Sequence, residues 1–161
     1  MIQMGVGPST KETTLHHFRD PLVDVFGADP DIDFQGVVVV GTPQDNTLKG
    51  LVGQRVAKWL QAMGTNGAVL SADGWGNSDV DFMNTMSEIG DLGISIIGLK
   101  FIGKQATFVV TNEYTPFVLD INKSKSGTET TVVGENNLDH RDANKALGFL
   151  KLKMRADHSK Q

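Results

Sequence analysis

Some polar residues in this chain stand at spacings that could do chemistry. Asp73, Asp79 and Asp81 gather around Gly74, Trp75, Gly76 and Asn77. Paired carboxylates can share a proton or hold a cation. At the start of a helix the same acids complement the positive end of the dipole, which needs no further assumption. A Trp between two glycines and ahead of Asn either anchors a partner, floors a pocket or covers a sheet edge. Together with Asn46 in the polar loop at 41–46, residues Asp73, Gly74, Trp75, Gly76 and Asn77 form the candidate binding set.

Other chemistries find less support. The loop Gly41-Thr42-Pro43-Gln44-Asp45-Asn46 lacks the Gly-Lys-Ser/Thr ending of a phosphate loop, and Lys49-Gly50 is in the wrong order. A strand-to-helix turn capped by Asp45, Asn46 or Thr47 is the better reading. Around Trp75 the dinucleotide fingerprint is incomplete, because Asp79 stands where the third glycine belongs and would repel a pyrophosphate. The four histidines are His16, His17, His140 and His158. Neighbours on a strand point to opposite faces, so His16 and His17 do not share a metal, and no metal site is expected. His140, between Asp139 and Arg141, suits acid–base work or an ordinary exposed position. No Ser-His-Asp order or serine elbow is present.

Bulk properties narrow the field. The 161 residues suffice for one domain, and 39% hydrophobic with 21% charged residues describe a globular chain. Net charge is −4, and the basic residues cluster only at Lys151, Lys153 and Arg155, which argues against nucleic acid as partner. No apolar run is long enough to span a bilayer, and the N-terminus carries no signal pattern, so a cytoplasmic location is expected. With no cysteine there is no disulfide, thiolate metal site or cysteine nucleophile.

The candidate residues need elements to hold them. Val37, Val38, Val39 and Val40 read as a strand. A helix follows over 47–63, with Leu48, Leu51, Val52, Val56, Trp59, Leu60 and Met63 as its buried stripe. Ala68-Val69-Leu70 is a second strand. A second helix opens at Ser78, with Phe82, Met83, Met86 and Ile89 inward. Ile94 to Gly98 make a third strand. Strand and helix in alternation predict a parallel sheet covered on both faces, with ligands beyond the carboxyl ends of the strands. Residues 105–110, 116–121 and 128–133 read as further strands. A last helix begins after Asp139 as N-cap, with Asp142 three residues on and Ala143, Ala146, Leu147, Leu150 and Met154 buried. The expectation is an α/β three-layer fold with a largely parallel central sheet, a C-terminal β extension and a final helix. It is a single domain over 1–161, with an N-terminal arm at 1–35 (a short helical turn at 22–26 within it) and a core at 36–156.

The segment from Ala72 to Phe82, with Glu135-Asn136-Asn137-Leu138-Asp139-His140-Arg141-Asp142-Ala143, resembles the component B subunits of glycine, sarcosine and betaine reductases and the D-proline reductase proprotein with its small accessory homologues. The resemblance covers roughly residues 35–155. In catalytic members a C-terminal cysteine is the site of self-cleavage and becomes a pyruvoyl group. The resemblance puts Asp139 in that place. Without a thiol the N-to-S shift is closed to this chain, and nothing around Ser124 or Ser126 supports a serine route.

The resemblance therefore implies an accessory, non-pyruvoyl subunit of a D-proline reductase complex, which opens D-proline reductively to 5-aminovalerate. It carries no catalytic residue and no cofactor in this chain. Its partners would be a pyruvoyl-bearing homologue and a selenocysteine-bearing subunit. Two alternatives stand beside it: a stand-alone amino-acid binding module built on the same loops, and an accessory subunit of the glycine, sarcosine or betaine branch.

Overall fold

The computed structural model describes residues 20–72, 76–104, 108–128 and 138–159. The order is α1 (Pro21–Ala28), α2 (Asn46–Ala62), β1 (Gly67–Ala72), α3 (Asn77–Gly90), β2 (Ser95–Lys100), β3 (Val118–Asp120) and α4 (His140–His158). The strands form one parallel sheet in the order β1-β2-β3, with Ala72 level with Lys100 and Lys100 level with Asp120.

Alternation along the strands sends side chains to two cores. Ile97 and Leu99 of β2 meet Phe26 of α1 and Ala143, Ala146, Leu147 and Leu150 of α4. Ile96 meets Phe82, Met83, Met86 and Ile89 of α3 and Ala57 of α2 on the other face. All six residues of β2 are buried, as in a sheet covered on both sides. The expected three-layer α/β arrangement is the observed one. The stripes expected for the second and last helices are those found.

Three expectations need correction. Residues 37–40 are not a strand. No ladder joins them to β1, and Val39 is 94% exposed. Valine prefers strands because it fits a pleated, half-buried surface, and among the described residues nothing covers Val39. Only part of the expected stripe of α2 faces inward: Val56 and Leu60 pack against the core and Val52 is half-buried, but Leu48, Leu51, Trp59 and Met63 are exposed, while Lys49, Gly53 and Ala57 are buried. The reason is a close helix crossing. A Cβ on Gly53 would collide with the Asn84 side-chain amide on α3, so small residues form this seam. Finally, residues 108–110 are irregular, and Thr115–Phe117 form a 3-10 turn before β3. The β extension thus reduces, among the described residues, to β3. The strand reading at 105–107 and 129–133, His16, His17 and the arm before residue 20 lie outside the described residues.

Candidate functional site

Two helices begin at the carboxyl edge of the sheet, one on each face. α3 starts beside the end of β2, where Asp79 meets Lys100. Its cap is Gly76, at φ +75, a conformation that glycine adopts without strain. α4 runs antiparallel to the strands. Its far end is tied to the start of β2 by Ser95 Oγ donating to Asp157 at 2.6 Å. Its first turn is tied to the segment after β3 by Lys123 donating to Asp142 at 2.6 Å.

On the α3 face the edge is dry. Asp79, in the first turn, pairs with Lys100, the last residue of β2, and each side chain is only 1% exposed. The other Asp79 oxygen accepts from the backbone N–H of Gly76 at 3.2 Å and of Val109 at 3.4 Å. Lys100 Nζ lies 5.1 Å from the Phe82 ring centroid and 5.8 Å from that of Phe108, so its remaining surroundings are aromatic faces. Two residues on, Asp81 pairs with Lys49 of α2, whose ammonium also donates to the Pro43 carbonyl. These two pairs hold the crossover after β2 and the 41–46 loop against the start of α3. Both lysines have carboxylate partners, so the arrangement positions loops and offers no uncommitted amine. Ser78 Oγ and the second oxygen of Asp81 are buried without a partner among the described residues.

On the α4 face the cap is wet. Asp139 caps α4, accepting from the N–H of Arg141 at 2.8 Å and of Asp142 at 3.0 Å, and Asp142 returns the bond by accepting from the Asp139 N–H at 3.1 Å. Burial alone would raise the Asp139 carboxyl, but the N–H of Asp142 and the charge of Lys123 hold it below its ordinary value. His140 Nε2 lies 3.9 Å from Asp24, with 65% of its side chain exposed.

The expected binding residues reach this edge only in part. Asn46 is the exposed first residue of α2, capped by Asp45, which accepts from Thr47 at 2.9 Å and Leu48 at 3.1 Å. Asn77 is exposed and donates to Gln44 at 3.4 Å, which joins its loop to the 41–46 loop. Asp73, Gly74 and Trp75 lie outside the described residues. Asp139 stands at the same edge on the opposite face of the sheet. Among the described residues no group of three or more His, Cys, Asp or Glu could hold a metal ion, and no helix is long and apolar enough to cross a membrane.

Sequence reasoning missed Lys49 and Lys100. For Lys100 the signal was present: Ile96, Gly98 and Lys100 alternate onto the same inward face of a fully buried strand. A cation there demands a buried carboxylate. Lys49 gave no such signal, because its burial follows from the rotation of α2.

Comparison with known proteins gives this edge a context. The chain is 36% identical over 146 residues to the D-proline reductase proprotein of Acetoanaerobium sticklandii, a match over 91% of this chain and 23% of the relative. It is 27% identical over 115 residues to the sarcosine reductase complex component B subunit alpha of Peptoclostridium acidaminophilum, over 69% of this chain and 27% of the relative. The chain thus spans about a quarter of the length of these curated relatives. No solved structure matches it significantly. The glycine/sarcosine/betaine reductase component B subunits match residues 4–115, a stretch that includes both buried lysine–aspartate pairs and stops short of α4. With most of its length and the dry half of its polar edge inside that match, the chain belongs to the family of glycine/sarcosine/betaine reductase component B subunits.

Proposed function

We propose that this protein is an accessory, non-pyruvoyl subunit of a D-proline reductase complex, with a structural or assembly role in the reductive ring cleavage of D-proline to 5-aminovalerate. The family and the 36% identity to a D-proline reductase proprotein support the reductase setting. The observation that carries the accessory role is Asp139. Its carboxylate is spent on capping α4, and the 161 residues contain no cysteine to supply a thiol in its place. Formation of a pyruvoyl group by the cysteine route needs that thiol to attack the preceding carbonyl, and a capping carboxylate does not perform the attack. The electrophile would then reside on a homologous partner, and the selenocysteine on a further subunit. This chain would supply scaffold or a wall of the substrate site, using the 41–46 loop and the start of α3.

Native mass spectrometry of the protein from its own anaerobically grown source, followed by denaturing intact mass, tests this reading. A hetero-complex with a self-cleaved homologue, and an uncleaved mass for this chain, is the expected result. A pyruvoyl-blocked fragment of this chain would sink it. A free monomer or a homo-oligomer would instead favour an amino-acid binding module, which calorimetry with D-proline and related amino acids would then examine.

A further inference from the structure

The outward turn of α2 leaves a strip of apolar surface with a particular charge. Leu48, Leu51, Trp59 and Met63 stand on the outer face of the helix, with Trp59 66% exposed. Val37 and Val39 lie on the segment beside it. That segment is pinned at one end by Gln35, which donates to the Met63 carbonyl at 3.3 Å and accepts from Thr65 at 2.7 Å. At the other end Pro43 receives Lys49, and Gly41, Thr42 and Pro43 line a shallow groove with Leu48, Leu51 and Arg55. The segment therefore runs alongside α2 from one end to the other. Scattered exposed apolar residues need no explanation, but six on two adjoining elements mark an interaction surface.

Charge decides what the strip fits. The chain as a whole is acidic, with 19 acidic against 15 basic residues. Yet α2 contains no Asp or Glu at all. Its exposed charges are Arg55 and Lys58, since Lys49 is buried against Asp81. Lys58 donates to Gln61 at 3.1 Å, which leaves its charge uncompensated. Two copies of this chain meeting strip to strip would bring Arg55 and Lys58 against their own like, which costs specificity and affinity. A different chain with carboxylates around an apolar patch would meet no such penalty. We propose that the outer face of α2 and residues 37–39 form the docking face for another subunit of the complex, one whose contact surface is apolar and acidic. This inference rests on the assembly reading above and assigns it a surface.

The test uses the complex isolated from the source organism. Hydrogen exchange of residues 36–42, which make no ladder bonds, is compared between the chain in that complex and the chain alone. At least tenfold slower exchange in the complex is expected. Trp59→Glu and the double change Arg55→Glu with Lys58→Glu, each introduced into the source organism in place of the native chain, should lower the recovered complex at least tenfold, since a buried interfacial Trp is a typical hot spot. Leu152→Glu, at an exposed apolar position on α4, should leave recovery unchanged. Trp59→Glu removes an exposed side chain, so its thermal midpoint should match the native one. Undiminished recovery of the complex with Trp59→Glu overturns the docking face while leaving the assembly reading intact. Absence of any hetero-complex in the unmodified organism removes the assembly reading itself. A homo-oligomer that Trp59→Glu dissociates overturns the choice of occupant. Slow exchange of residues 36–42 already in the isolated chain shows that the chain covers its own strip, and the proposal falls.

Discussion

α3 and α4 begin at the same edge of the sheet, each with an aspartate at its start and a lysine beside it. At α4 the buried Asp142 takes the lysine much as Asp79 does at α3, but the cap residue itself differs. The side chains of Asp79 and Lys100 are each 1% exposed, whereas those of Asp139 and Lys123 are 45% and 28% exposed. Ion pairing strengthens as water is excluded, but so does the penalty for leaving either partner alone. The pair at α3 must therefore be complete, and it holds the loops around it in one geometry. The aspartate at α4 works through two backbone N–H groups, and several residue types can fill an N-cap. A dry pair restricts the sequence at that position, and a wet cap tolerates exchange. That tolerance suits our proposal that Asp139 stands where catalytic relatives carry a reactive residue.

The contrast can be broken most sharply at Asp79. Asp79→Ala leaves the Lys100 ammonium buried and uncompensated, and should cost about 3–5 kcal/mol in urea denaturation. Replacing both partners, with Asp79→Leu and Lys100→Met, should recover most of that loss. A single-variant cost near that of a surface change would show that water reaches the pair. Asp81→Ala should cost less, about 1.5–3 kcal/mol, because Lys49 keeps the Pro43 carbonyl. Exchange in the 41–44 loop should quicken in this variant, since Lys49 joins that loop to α3.

At α4 the expected effects are smaller. Asp139→Ala should cost about 1 kcal/mol, and Asp139→Asn only a few tenths, because Asn is as good an N-cap. A cost for Asp139→Ala as large as that for Asp79→Ala would erase the contrast. The pH dependence has a definite sign. The folded Asp139 carboxyl is held below its ordinary value, so its stabilisation is fully present above that value and is lost as pH falls through the lower folded one. Stability curves of the native chain should therefore drop below about pH 4, and Asp139→Asn should flatten that part of the curve. Asp29, hydrogen-bonded to Lys151 at 2.6 Å and lowered by it, adds a loss of the same sign and the smallest size, removable by Lys151→Met.

Legibility varied with how much a residue's role depends on distant parts of the chain. The inward faces of α3 and α4 could be read directly, because Phe82, Met83, Met86 and Ile89, like Ala143, Ala146, Leu147 and Leu150, recur at helical spacing with polar residues between them. The N-cap at Asp139 and its partner Asp142 were equally local. α2 misled because it has two possible inner faces. The large apolar stripe outweighed the small one by hydrophobicity alone, yet the close crossing with α3 needs Gly53 and Ala57, and it admits only Val56 and Leu60 of the large stripe to the core. The valines at 37–40 misled because strand propensity presupposes a neighbour to pair with.

By itself, then, the sequence determined the alternation of helix and strand from α2 to β2, the parallel sheet, the cap at Asp139 and the lack of any thiol. Those follow from local periodicity and residue chemistry. Tertiary structure alone decided which face of α2 turns inward, which lysines lie buried and which aspartate answers each of them. Such choices depend on the distance between α2 and α3 and on the exclusion of water between elements far apart in the chain, and no local pattern records either.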